Sequence, residues 1–283
     1  MSNQPKISAL VINLDSAKER WKFQQEQLEY LDIPYQRWKA TAVQDLTDRE
    51  YEKWANDWQR KLRKTEVACF LSHYRAWQHV ANSEKPFLIL EDDALLSQQL
   101  PNILSLLDTE QNLEYDHLTL ETRGRKKLIS QNTCDNFESV AMHKLFLDKT
   151  GAAAYLLTSN GAQILIDEVE KKGAGLADAL LCHTKGLKKV QSVPALAIQM
   201  DMAEHYGLDG LKLNSAAKSN ISTLSSSKPN PNRLSDKLVF RSRRLTAQLN
   251  MGFIQAKYSS QSKYLEIAPK KSDFVYLNTL LKY

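Results

Sequence analysis

A chain of 283 residues, 42% of them hydrophobic, can bury one large core or two small ones, which excludes a disordered polypeptide. No stretch approaches the roughly 20 apolar residues of a membrane-spanning helix. The net charge of +5 hides an asymmetry: residues 211–283 carry 13 Lys and Arg against 3 Asp and Glu, so the body before them is acidic and the tail basic.

Residues 6–13 (KISALVIN) predict a buried first strand, and residues 16–31 follow with helical spacing at Trp21, Leu28 and Leu31. Tyr35 to Thr41 alternates as a second strand. Thr47 and Glu50 form a capping-box pattern that opens a polar helix to about Arg63. In residues 65–82 (TEVACFLSHYRAWQHVAN), Cys69, His73, Trp77 and Val80 recur at helical intervals and predict an inward-packing helix.

Pro86 then punctuates the chain, and Phe87 to Leu90 is a strand-sized apolar run ending on Glu91, Asp92 and Asp93. Three adjacent carboxylates repel one another, so the cluster needs solvent, a base or a cation. Side chains alternate at a strand end, which sends Glu91 and Asp93 one way and Asp92 the other. In open α/β sheets ligands collect just beyond the carboxyl ends of strands, where these acids fall. The alternative is a solvated acidic turn.

Further strands are predicted at residues 116–121 and 152–157, with a helix capped by Thr158 or Ser159 through Ile166, and two short runs around Pro194. Strands interleaved with helices predict an α/β fold, a mixed sheet flanked by helices on both faces. A Ser/Asn/Pro-rich stretch, 214–232, predicts a flexible connection between a catalytic domain over 1–213 and a basic helical region over 233–283. There Leu234, Leu238, Leu245 and Leu249 share one helical face, with Lys237, Arg241 and Arg244 alongside. The leucines either pack on the main domain or meet an anionic membrane surface. The N-terminus lacks the features of a signal peptide, and Cys69, Cys134 and Cys182 show no paired spacing, so a cytoplasmic setting is expected, with a peripheral position at the inner membrane.

Four segments taken in order, residues 11–20 (VINLDSAKER), 65–77 (TEVACFLSHYRAW), 87–96 (FLILEDDALL) and 151–166 (GAAAYLLTSNGAQILI), resemble the blocks of glycosyltransferase family 25. Thr65 and Ala68 stand where that family usually has glycines. The resemblance implies a GT-A-like, Rossmann-type fold, a UDP-sugar donor, a divalent cation (Mn²⁺ or Mg²⁺) and inversion at the anomeric carbon. It also implies a lipopolysaccharide or lipooligosaccharide core acceptor.

Hard cations prefer carboxylate oxygens and leave positions for phosphate and water. Asp93 is therefore expected as a direct metal ligand, Glu91 as a direct or water-mediated one, and Asp92 as a contact to ribose or donor sugar. Asn13, Leu14 and Arg20 are placed to hold the nucleotide, Arg20 either reaching a phosphate or fixing the loop. Glu66 and His73, seven apart on one helix face, either reach the donor pocket together or lock each other in the core. Cys69 is expected to pack as a small hydrophobe. Inversion needs a base at the acceptor hydroxyl; Asp178 is the first candidate, followed by Asp201, Glu204 and His205. Two competing functions are a nucleotidyltransferase, for which NLDSAKER lacks the glycine-rich phosphate loop, and a nucleic-acid-binding protein using the basic tail, for which no recognised motif is present; no nucleic acid partner is expected.

Overall fold

A computed structural model describes residues 7–109, 113–137, 139–149, 151–208 and 234–280. The connection predicted at 214–232 lies outside them. The first apolar run forms β1 (Ala9–Asn13), buried at every position, and α1 (Lys18–Tyr30) returns the chain to β2 (Tyr35–Lys39), parallel to β1. The Thr47–Glu50 capping box opens α2 (Asp48–Ala55), which ends well before Arg63. Beyond it the chain folds back, so that Leu62 N donates to Ala55 O and the Tyr51 hydroxyl to Leu62 O.

Helix α3 (Lys64–Ala81) already includes Thr65 and Ala68. Glycine at those two positions is therefore not needed for a turn into this helix. Next, β3 (Phe87–Glu91) lies parallel to β1 on the side opposite β2. The chain then leaves the sheet through Asp92 and Asp93 into β4 (Ala94–Leu96) and α4 (Leu100–Thr109).

The remaining elements are β5 (His117–Thr119), β6 (Glu121–Thr122), the hairpin β7 (Lys126–Phe137) and β8 (Val140–Leu147), β9 (Ala154–Leu157), α5 (Ser159–Lys172), α6 (Ala177–His183), β10 (Lys189–Val193) and β11 (Ala197–Gln199). After the undescribed segment come α7 (Leu234–Tyr258), β12 (Ser262–Glu266) and α8 (Leu277–Leu280). Among the described residues a nine-stranded mixed sheet runs β12-β7-β8-β10-β5-β9-β3-β1-β2, beside a three-stranded sheet β4-β11-β6.

Two apolar layers cover the main sheet. Its strand residues alternate between them: Ala9, Val11, Leu88 and Leu90 join a cluster with α1 and α4, while Leu10, Ile12 and Ile89 join one with α2, α3, α5 and α6. This is the expected Rossmann-like mixed α/β sheet flanked by helices, and it is consistent with a GT-A-like fold. The C-terminal region is not wholly separate: β12 pairs with β7 as a sheet edge, and Ile267, Phe274 and Leu277 are buried in the body.

Helix α7 turns a different face inward from the one its leucines predict. Phe240 is buried and Arg243 Nη1 donates to the carbonyls of Asn56 and Trp58, whereas Leu238, Leu245 and Leu249 remain exposed. Packing of those leucines on the main domain is therefore not observed; the side chain of Leu234 lies outside the described set.

Candidate active site

The carboxyl ends of β1, β2 and β3 open into a cleft of about 430 Å³ lined by Leu14, Thr41, Val43, His73, Asp92 and Asp93. A second cleft of about 240 Å³ adjoins it, lined by Glu66, Glu121, Arg123, Asp178 and Gln199. Thr65, Cys69 and Glu91 line both, so the acid at the tip of β3 stands at the junction.

The two neighbours of that acid differ. Asp92 turns to α1: its Oδ1 accepts from Arg20 Nη1 at 2.8 Å and its Oδ2 from Asn13 Nδ2 at 2.7 Å. Asn13 also donates to Ala17 O and accepts from Arg37 Nε. Gln24 and Gln27 tether the same turn by donating to the carbonyl of Ala94. Asp92, Asn13 and Arg20 thus brace the β3 tip against α1, and the loop-fixing role of Arg20 is the one its geometry shows. Leu14 lines the larger cleft while its carbonyl accepts from Arg37.

Asp93 faces the cleft with less support. Its Oδ1 is buried with no hydrogen-bond partner, and the guanidinium of Arg20 stands 3.9 Å from its Oδ2. Burial, then the like charges of Glu91 and Asp92, push its pKa up to about 7 against the partial relief from Arg20. A carboxylate oxygen held out of water without a donor is a position that a hard cation would satisfy.

Glu91 turns to α3. Trp77 Nε1 donates to the Tyr155 hydroxyl at 2.8 Å, which leaves that hydroxyl's own proton for His73 Nδ1 at 2.9 Å. The imidazole proton then sits on Nε2 and points at Glu91 Oε1, 3.2 Å away, while Gln199 Nε2 donates to Glu91 Oε2 at 3.4 Å. His73 is fully buried. It closes the wall of the larger cleft and holds Glu91 there.

Glu66 and His73 do not lock each other. Glu66 is held in a two-pronged pair with Arg60, both contacts 2.7 Å, and accepts from Arg63 N at 2.8 Å. Burial raises its pKa, but these donors outweigh it and keep the carboxyl below the ordinary range. One position from the helix face of His73, Ser72 Oγ accepts from Thr41 N at 2.9 Å, so α3 also fixes the loop that walls the larger cleft. Cys69 is only partly buried and opens to both clefts.

Asp178 opens α6 and lines the smaller cleft; its Oδ1 accepts from Ala179 N at 2.7 Å. Burial raises its pKa, Ala179 N lowers it, and Glu91 raises it again, leaving it above the ordinary range. Asp201 is paired in two contacts with Arg123, His205 Nε2 lies 3.3 Å from Glu266 Oε1, and Glu204 is exposed. These three are placed less directly on the cleft than Asp178.

One acid escaped the sequence reading. Glu121, 2% exposed, has its Oε1 accepting from Ala153 N at 2.7 Å, and burial pushes its pKa up to about 8. Beneath it Lys127 Nζ donates to the Glu121 carbonyl and to Gln191 and pairs with Asp148 at 2.7 Å. The signal was present in DHLTLE, a predicted strand closing on an acid as FLILE does, although in the fold Glu121 opens β6 just past the end of β5.

Among known proteins, the family model described as glycosyltransferase family 25 (LPS biosynthesis protein) matches residues 6–180. The lipooligosaccharide biosynthesis protein lic2B of Haemophilus influenzae is 27% identical over 161 residues, covering 55% of this chain and 60% of that protein. The lacto-N-neotetraose biosynthesis glycosyltransferase LgtE of Neisseria gonorrhoeae is 25% identical over 165 residues, 56% and 59% of the two chains. A further Haemophilus influenzae protein is 26% identical over 201 residues, 67% of this chain and 69% of that one. The chain thus spans about three fifths to two thirds of these relatives. Among solved structures, the inositol-1-phosphate CTP transferase of T. maritima aligns over 77% of this chain and 94% of its own with a TM-score of 0.42 and 11% identity, a likeness too weak to bear on activity.

Proposed function

The chain belongs to glycosyltransferase family 25, and from that premise we propose that it transfers a hexose, galactose or glucose, from a UDP-sugar to a hydroxyl of a lipopolysaccharide or lipooligosaccharide core, with inversion and with a divalent cation. The observation that carries the reading is the carboxylate of Asp93, which lines the larger cleft beside Glu91 with one oxygen buried and unpartnered.

Asp93 and Glu91 would hold the cation. Mn²⁺ or Mg²⁺ held there would neutralise charge that builds on the departing diphosphate. The larger cleft, walled by the loop that Ser72 holds, takes the nucleotide at the carboxyl ends of β1 to β3. Asn13, Arg20 and Asp92 keep the acidic turn from shifting, which preserves the spacing of Glu91 and Asp93.

The acceptor enters the smaller cleft. As its oxygen bonds to the anomeric carbon and the bond to the diphosphate breaks, Asp178 takes the hydroxyl proton and UDP leaves. A pKa raised by burial and by Glu91 makes Asp178 a stronger base than an exposed aspartate.

A donor panel scored for UDP release, with Mn²⁺ and with EDTA, tests the reading. Metal-dependent release from a UDP-hexose, lost in Asp93→Ala with the far-UV spectrum unchanged, is the expected result. Equal release with and without metal overturns the assigned role of the acids.

A further inference from the structure

Helix α7 carries five Lys and Arg against one Asp. Its inner face is tied to the body at several points. Phe240 is buried, Arg243 donates to the carbonyls of Asn56 and Trp58, and Tyr258 stacks on Phe146 with centroids 4.1 Å apart. The outer face is therefore held in a fixed orientation by the inner one.

That outer face is apolar. Leu238 is 67% exposed, Leu245 57%, Leu249 66% and Phe253 66%. At 3.6 residues per turn these four fall within an arc of roughly 80°. Lys237, Arg241 and Arg244 flank the stripe on one side, and Lys257 lies on the other. Four large side chains in water on one face of a helix whose opposite face already packs indicate an outside partner.

The charge around the stripe decides which partner. Two copies meeting through it would bring their cationic flanks together, which disfavours a homodimer. Nucleic acid would match the cations but would leave the leucines unused. An anionic bilayer satisfies both, apolar residues entering the headgroup boundary and cations meeting lipid phosphates.

We propose that α7 is an in-plane anchor, with Leu238, Leu245, Leu249 and Phe253 inserting into an anionic phospholipid surface and Lys237, Arg241 and Arg244 meeting its phosphates. The anchor bears on the site through its contacts. Arg243 grips the 56–58 loop, Asp57 Oδ2 accepts from Ala174 N, and Trp58 packs so closely on Gly175 that a Cβ there would meet the indole at 2.8 Å. Leu176, Ala177 and Asp178 follow directly as the wall of the smaller cleft. The surface that docks α7 is thus joined through one loop to the cleft wall that carries Asp178. Vesicle binding needs neither donor nor metal, so this inference stands or falls apart from the catalytic one.

The test is co-sedimentation of the full chain with vesicles of phosphatidylcholine alone and of equimolar phosphatidylglycerol and phosphatidylcholine. The wild type should pellet with the anionic vesicles only, and release as salt is raised. Removing the cations in K237Q/R241Q/R244Q should weaken partition by about a hundredfold, at about fivefold per residue. L245Q/L249Q/F253Q should lose binding while retaining its thermal midpoint and UDP release in solution. Failure of the wild type to bind anionic vesicles, or wild-type binding by both variants, overturns the proposal. So does a two-chain mass in solution that L245Q/L249Q/F253Q reduces to one.

Discussion

Arg20 and Asp92 lie 72 residues apart in sequence and 2.8 Å apart in the fold, both nearly buried. The pair joins the first helix to the acidic turn, and Asn13 completes it from the end of β1. Removing one partner of such a pair leaves an uncompensated charge out of water, which costs about 3–5 kcal/mol. Arg20→Ala should lower the free energy of unfolding by that order in urea titrations, with Arg20→Lys falling between. A loss below about 1 kcal/mol would show that solvent replaces the guanidinium and that the brace is dispensable.

Asp93 gives the metal-free protein a pH signature. Its folded pKa, about 7, stands above the ordinary 3.8, so the native state holds a proton that the unfolded chain has released. Stability from this group is full below about pH 4 and is lost as pH rises toward 7, with a slope of up to about 1.4 kcal/mol per pH unit. Glu121, raised to about 8 from 4.5, acts in the same direction over its own window. In EDTA, urea midpoints should fall between about pH 5 and pH 8. Asp93→Asn should flatten that fall and be the more stable protein at the alkaline end, while losing metal-dependent transfer. Identical pH slopes in the two proteins would remove Asp93 as the source.

The His73 imidazole reaches the proposed metal site through Glu91 Oε1 at 3.2 Å. Groups that orient a ligand in this way change metal affinity about 10–100-fold when replaced. His73→Phe keeps the ring but not the donor, so the Mn²⁺ concentration for half-maximal activity should rise within that range. Because the Tyr155 hydroxyl also loses its acceptor in the core, unfolding should become easier by about 1–3 kcal/mol. A stability loss with unchanged metal dependence would confine His73 to the core.

Local signals in the sequence were faithful where a single segment determines its own structure. The Thr47–Glu50 box caps α2 and Thr158 Oγ1 accepts from Gly161 N, as those residues predict. The apolar runs at Ala9 and Phe87 became central strands, and the acids fell at the strand end where ligand sites form. The β7–β8 hairpin was not anticipated, because only one short stretch of β7 is buried and its distal half is polar and exposed. Pairings over long separations were equally hidden: nothing local marks Asp92 as bound to Arg20, or Glu121 as buried under Ala153. In α7 the leucine repeat identified a face but not its direction, since Phe240 and Arg243 supplied the inward contacts.

Asp178 is the residue on which the proposed chemical step rests. Among the described residues its carboxylate accepts one backbone donor, from the adjacent Ala179, which asparagine retains. Asp178→Asn should therefore fold as the wild type does, with donor binding unchanged. Proton removal at the acceptor hydroxyl would be lost, and kcat should fall by about 10²–10⁴. Donor hydrolysis, where water replaces the acceptor, should fall less than transfer does. The pH profile separates this from a structural role: the acidic limb of transfer, set above the ordinary carboxylate range by burial and Glu91, should disappear in the variant. An acidic limb that persists in Asp178→Asn, with kcat within a few-fold of wild type, would move the base to another acid of the cleft, with Glu121 next in position.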